Sequence, residues 1–245
     1  MFLPLQAEPR RVGVPWVTLA LVVANLAVFG WELRLGPSEL LTFARGAGMV
    51  PWEISHLQDL VSATQPRDLV PPPLTILSSM FIHGDLMHVA GNAWFLWLFG
   101  SRLERLVGAS RFLLLYLVAG VMAALLQVWV LPSSTVPMIG ASGAIAGVLG
   151  GYAILLPRAE VRCLVFLLVF VTFARLPARI VLALWFLAQF VASPARSSGV
   201  AWCAHTGGFV AGALLGAALM RPLARRRLDQ RAAIRAFDSA LPSRA

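Results

Sequence analysis

Four polar side chains stand inside otherwise apolar stretches: His88, Asn92, Ser142 and His205. A polar group in such a setting is costly and calls for a reason. A serine hydroxyl is a weak nucleophile until a base takes its proton, and a neutral imidazole is the usual base. Ser142 lies in Gly140-Ala141-Ser142-Gly143, at a predicted loop-to-helix junction. Unpaired backbone N–H groups and the positive end of a helix stabilise an oxyanion at such a junction. His88 and Asn92 are four residues apart and project from one helical face, where both can donate to the same oxyanion. No carboxylate is expected at matching depth to orient His205, and Asp85 belongs at the mouth, so the chemistry expected is that of a Ser142–His205 dyad rather than a triad. His83, His88 and His205 lack the HExxH pattern of membrane metalloproteases, so no metal and no cofactor are expected. His83 and Asp85 read as structural or oxyanion-adjacent, and His56 as a solvated loop residue.

The elements that carry these residues are set by composition. The 245 residues are 59% hydrophobic and only 13% charged, against about 25% charged in soluble domains. The apolar residues fall in blocks of bilayer-spanning length. The first block is too long for a secretory signal and lacks a small-residue cleavage site. Six spans are expected: Pro15–Leu33, Asp85–Ser101, Arg111–Leu131, Ser142 to just before Pro157, Ala178–Ala192 and Ala201–Met220. Residues 161–173 are apolar but short, and read as a connection or a tilted extension. The domain plan is a segment 1–14, a membrane domain 15–220 and an Arg-rich tail 221–245.

The net charge of +9 comes from Arg alone, since the chain has no Lys. No aromatic-interleaved basic face accompanies it, which argues against nucleic acid as a partner. Arg10, Arg11, Arg102, Arg105, Arg111, Arg158, Arg162 and Arg221 instead flank alternate ends of the spans. By the positive-inside rule both termini are cytoplasmic. Spans two, four and six then run inward, which brings His88, Asn92, Ser142 and His205 to one depth near the outer face. Glu104, between Arg102 and Arg105, reads as part of a charge cluster fixing a helix end. Cys163 and Cys203 sit in apolar stretches and read as buried small hydrophobes. The all-Arg complement and the absence of a transit-peptide pattern point to a bacterial plasma membrane as the expected location.

Small residues explain how the spans meet. Gly143, Gly147 and Gly151 recur every four residues in span four, as do Ala204, Gly208, Gly212 and Gly216 in span six. This spacing lets two helix backbones approach closely in lipid. Packed on those faces, two parallel helices would bring Ser142 and His205 within hydrogen-bond reach.

The run His83-Gly84-Asp85-Leu86-Met87-His88 with Asn92 resembles the second-span motif of rhomboid intramembrane proteases. Gly140-Ala141-Ser142-Gly143 resembles their GxSG motif, and Ala204-His205-Thr206-Gly207-Gly208 their AHxGG motif. Glu104 and Gly108 also resemble the family pattern, and the resemblance runs from Leu74 to Leu215. It implies an all-α membrane protein, a six-transmembrane-helix rhomboid-like bundle with a cavity open to the outer side. It further implies Ser142 as nucleophile, His205 as base and acid, and His88, Asn92 and the Ser142 N–H as oxyanion donors. The partners implied are transmembrane protein substrates and the bilayer itself. Two departures stand out: Ala146 where some members place a tyrosine that stacks on the histidine, and Trp52-Glu53 where some carry a Trp-Arg pair. A catalytically silent rhomboid-like binder or chaperone is the rival, but such proteins usually lose the serine or histidine. A transporter would be expected to show two similar halves, and no such repeat is visible.

Overall fold

A computed structural model of the chain describes residues 2–7, 13–58, 60, 70–167, 170–191 and 202–229. Helix α1 (Trp16–Glu32) is followed by three short helices, α2 (Pro37–Ala47), α3 (Pro51–His56) and α4 (Pro72–Ser78). Each of the three has proline in its first turn, where the missing N–H costs nothing and the fixed φ suits a helix. Helix α5 (Leu86–Phe95) continues through a π-helical segment, Leu96–Gly100, into α6 (Ser101–Val107). The helix expected over Asp85–Ser101 is therefore longer at its C-terminal end than the sequence suggested. Gly108, at φ +94°, breaks the chain sharply before α7 (Ala109–Val130). Then come α8 (Ser142–Leu155), α9 (Ala178–Val191) and α10 (Trp202–Leu215), the last remaining helical through Asp229. The expected starting residue of span six (Ala201), the end of span five (Ala192) and the tail beyond Asp229 lie outside the described residues.

Ala109–Val130 and Trp202–Asp229, at 22 and 28 residues, are long and apolar enough to cross a membrane. Trp16–Glu32, Ser142–Leu155 and Ala178–Gln189 are apolar but shorter. Helix α8 can be short because it is innermost, with every residue from Gly143 to Tyr152 buried. It is squeezed between α7 and α10. A Cβ on Gly143 or Gly147 would run into Ala123 or Ala119 of α7. From the other side, a Cβ on Gly208 would overlap the Gly143 carbonyl oxygen and one on Gly212 the Gly147 carbonyl. A Cβ on Gly216 would lie 3.3 Å from the Gly151 Cα. Gly150, which the sequence reading did not single out, backs onto the Phe209 carbonyl in the same way.

The chain is not wholly helical. Strands β1 (Phe2–Ala7), β2 (Glu160–Leu167) and β3 (Phe170–Pro177) form an antiparallel sheet in the order β1-β2-β3. The run read from sequence as a connection or tilted extension is thus a β-hairpin. Its Val, Phe and Thr content favours strand, and it is too short to span a bilayer as a helix. Strand β1 pairs Ala7 with Val161 and Leu3 with Leu164. Its free edge lies along the second span, where the Trp94 indole N–H donates to the Pro4 carbonyl at 2.9 Å and the Arg102 guanidinium donates to the Ala7 carbonyl. An open sheet edge leaves such carbonyls unpaired, and here side chains of the helix occupy them.

Two buried carboxylates fasten α1 at its ends. Glu104 accepts hydrogen bonds from the backbone N–H groups of Val17 and Thr18, at 3.0 and 2.8 Å, and from the Thr18 hydroxyl at 2.7 Å. It thereby satisfies donors that a helix start leaves free. It does fix a helix end, as expected, but as a buried cap on the start of α1. Glu32, at the other end, accepts from the His83 N–H at 3.2 Å.

The α8–α10 contact yields a direct test. Gly212→Leu must force the two backbones apart, and overpacking of this kind costs about 1–3 kcal/mol. Val210 is exposed on the same helix, and Val210→Leu should leave the thermal unfolding midpoint near that of the parent. Equal midpoints for the two variants would contradict the packing described.

Candidate active site

Ser142 is the first residue of α8, so its own N–H and those after it lack intrahelical partners. The loop before it is pinned on both sides. Met138 and Met49 exchange backbone hydrogen bonds, at 2.7 and 3.0 Å, and the Gly140 N–H donates to the Ser79 carbonyl at 2.8 Å. Gly140 takes φ +114°, which side-chain-bearing residues rarely adopt, and a Cβ there would lie 2.6 Å from His88 Nε2 and 3.7 Å from Asn92 Nδ2. The loop can therefore lie against the His88 ring and the Asn92 amide only because this residue is glycine.

His205 stands one turn into α10, and its Nε2 is 2.8 Å from the Ser142 hydroxyl oxygen. Both side chains are half-buried and line one cavity of about 570 Å³. His88, Asn92, Asp85 and Gly140 line it too, together with Trp185 and Gln189 of α9. All the residues singled out in sequence for chemistry thus meet in this cavity.

His88 and Asn92 are held by a chain of hydrogen bonds. Asp85 is the N-cap of α5 and accepts the His88 N–H at 2.8 Å, which fixes the first turn. Asn92 Nδ2 lies 2.9 Å from His83 Nε2, while His83 Nδ1 lies 3.1 Å from the Phe81 carbonyl. The carbonyl only accepts, so Nδ1 carries the proton and Nε2 accepts from the Asn92 amide. The second N–H of that amide is left over for the cavity. His83, fully buried and edge-on to His88 at 5.1 Å between ring centres, aims Asn92. His56 lies in the first loop, exposed, with its Nδ1 2.9 Å from the Trp52 carbonyl and its ring stacked on Trp52.

Gln189 was missed in the sequence. Its side-chain oxygen lies 2.7 Å from His205 Nδ1. The signal was available: it is an amide within an apolar helix, about three turns from its first residue, Ala178, and a polar group in such a setting calls for a reason. A search confined to carboxylates passed over it. Beside it, the Trp185 ring lies 6.2 Å from the His205 ring and 6.3 Å from Phe209.

With this geometry in place, the comparisons with known proteins fall into line. Residues 73–222, more than half of the chain, match the family model described as the Rhomboid domain, and the chain belongs to the rhomboid family. That family is one of integral membrane proteins with a helical bundle, and it includes intramembrane serine proteases. The chain is 35% identical over 104 residues to Rhomboid protein 1, mitochondrial, of Saccharomyces cerevisiae, covering 41% of this chain and 30% of that protein. It is 40% identical over 75 residues to Rhomboid protease GluP of Bacillus subtilis, covering 31% of this chain and 14% of that one. A third match, 36% identical over 86 residues, is to the Presenilin-associated rhomboid-like protein, mitochondrial, of Bos taurus, covering 34% and 22% of the two chains. The matched segments thus span less than a third of each of these relatives. Since the relatives include mitochondrial proteins, they lend no support to a bacterial plasma membrane over other membranes.

The loop geometry predicts the behaviour of Gly140. Gly140→Ala would need a positive φ and a methyl group inside the His88 ring's van der Waals shell, a strain of about 1–3 kcal/mol. Its thermal midpoint should fall, and the His88 ring resonances should move in NMR spectra of the labelled protein. Gly30→Ala, where an added methyl meets nothing within 4 Å, is the control and should be neutral or slightly stabilising. A Gly140→Ala protein with unchanged midpoint and His88 signals would contradict the loop geometry.

Proposed function

We propose that this chain is an intramembrane serine endopeptidase that cleaves transmembrane segments of other membrane proteins through a Ser142–His205 dyad. The observation that carries the reading is the 2.8 Å contact between the Ser142 hydroxyl and His205 Nε2 inside a cavity that Asp85, His88, Asn92 and Gln189 also line. Nε2 takes the hydroxyl proton as the Ser142 oxygen attacks a peptide carbonyl, and the imidazolium then gives that proton to the leaving amine. The negative charge on the tetrahedral intermediate is met by the Ser142 N–H, His88 and Asn92. Water, activated by the same imidazole, releases the acyl group and restores the serine.

Both termini lie on the cytoplasmic side in this reading, and the cavity opens outward, because the Arg-rich ends of the bundle are opposite Ser142. Arg105 donates to the Gly13 carbonyl at 2.7 Å and Arg227 to the Leu106 carbonyl at 2.9 Å. These contacts draw the segment before α1, the α6–α7 corner and the helix after α10 together at the basic end. A bacterial plasma membrane as the location rests on the sequence alone, chiefly on its all-Arg basic complement.

Ser142→Ala should stay folded and inserted but lose cleavage of a model transmembrane substrate and labelling by a fluorophosphonate. His205→Ala should lose both as well, and the double variant should be no worse than either single one, since the two act as a unit. Cleavage at the parent rate by Ser142→Ala would overturn the proposal. Asn92→Ala should lower kcat by a factor on the order of 10²–10³, less if His88 compensates. An Asn92→Ala, His88→Ala double variant with full activity would show that the oxyanion is held elsewhere.

A further inference from the structure

The imidazole of His205 has two nitrogens, and the dyad uses only Nε2. If Nε2 carried the ring proton it could not accept one from Ser142, so the direction of catalysis depends on which nitrogen is protonated. Nothing on α8 or α10 settles this, because the Ser142 hydroxyl can either donate or accept. The other ring nitrogen decides it. Nδ1 lies 2.7 Å from the Gln189 side-chain oxygen, across the gap between α10 and α9.

The orientation of the Gln189 amide is itself determined. Its Nε2 donates to the Trp185 carbonyl one turn earlier on α9, at 3.2 Å. With the NH2 group turned to that carbonyl, Oε1 faces His205, and an amide oxygen only accepts. Nδ1 must then be the protonated nitrogen, and Nε2 presents its lone pair to Ser142. Each link fixes the next: Trp185 carbonyl, Gln189 amide, His205 ring, Ser142 hydroxyl. The Trp185 ring, stacked near Phe209 and 6.5 Å from Phe95, packs the same segment of α9 against its neighbours.

We propose that Gln189 is a positioning residue for His205, which holds the Nδ1–H tautomer and stabilises the imidazolium that forms when Ser142 gives up its proton. The unit is a Ser142–His205–Gln189 relay contributed by three helices, α8, α10 and α9. Being neutral, the amide offers a dipole where a triad carboxylate would offer a charge, and it does so without the cost of burying an ion in an apolar span. The proposal rests on the dyad reading above. An amide that merely satisfied its own hydrogen bonds in lipid would have no influence on the imidazole's proton.

The test uses the full chain in phospholipid bicelles. It measures kcat and KM on a model transmembrane substrate, the thermal midpoint, and ¹⁵N spectra of the histidine rings. Gln189→Leu keeps the bulk and removes the acceptor. It should lower kcat about tenfold to 10²-fold, as expected for an unpaired buried donor, and leave KM within about twofold. The His205 ring signals should change from a pure Nδ1–H pattern to a mixture of tautomers. Gln189→Glu keeps an acceptor at the same reach and should recover most of the lost kcat. A loss confined to KM, an unchanged tautomer in Gln189→Leu, or a Glu variant as slow as the Leu one would each overturn the proposal. If Gln189→Leu does not fold, the resting parent protein decides, since an Nε2–H tautomer there excludes the relay. Failure of the dyad reading is separable: the parent would neither cleave nor label, while the ring spectra would still report on Gln189.

Discussion

The glycine-to-glycine backbone contact between α8 and α10 is the constraint on which everything else rests. Gly208 faces Gly143, Gly212 faces Gly147 and Gly216 faces Gly151, so one register holds over the whole contact. In lipid there is little hydrophobic gain from pressing two apolar helices together, and van der Waals contact between close backbones takes its place. Such a contact is unforgiving, because carbonyl oxygens of one helix occupy the volume where Cβ atoms of the other would stand. It is also directional. Both helices begin at the same end of the bundle, so their first turns emerge side by side, and a serine on one meets a histidine on the other.

The remaining polar groups are held by anchors outside that contact. The loop before Ser142 is tied to α4's end through Gly140 and Ser79, and to the first loop through Met49 and Met138. Glu32 and Glu104, buried at opposite ends of α1, spend their oxygens on backbone N–H groups of other segments. A buried carboxylate with such partners is a splice between chain segments, since neither side satisfies its groups alone. The cavity is thus framed by segments far apart in sequence, each fixed by one or two strong hydrogen bonds.

Much of this was legible in the sequence because membrane chains expose their logic. Apolar blocks gave the helices, and glycines at four-residue spacing gave the face on which α8 and α10 meet. Polar residues inside apolar blocks pointed to Ser142, His205, His88 and Asn92. What escaped had weaker local signals. Gln189 is neutral, and a search for a charged partner to the histidine did not weigh an amide. His83 reads from the sequence as structural or oxyanion-adjacent, but its partner is not legible, since its bond to Asn92 joins a loop to a helix face and leaves no periodic trace. The sheet escaped because residues 161–173 are mostly apolar, and such a run looks alike in a strand and in a buried helix. Its partner strand, Phe2–Ala7, lies far away in sequence, before the first span, where no local pattern could announce the pairing.

That pairing has a consequence for how the chain is made. Ala7 and Val161 meet in the sheet, although about 150 residues separate them, and synthesis proceeds at about 5–20 residues per second. The first strand therefore leaves the ribosome some 8–30 seconds before the strand it must pair with exists. Throughout that interval its partner strand does not yet exist, whereas the Trp94 and Arg102 side chains that bond its carbonyls in the folded chain are made well before β2. The hydrogen bonds to the second span can therefore form ahead of the sheet itself.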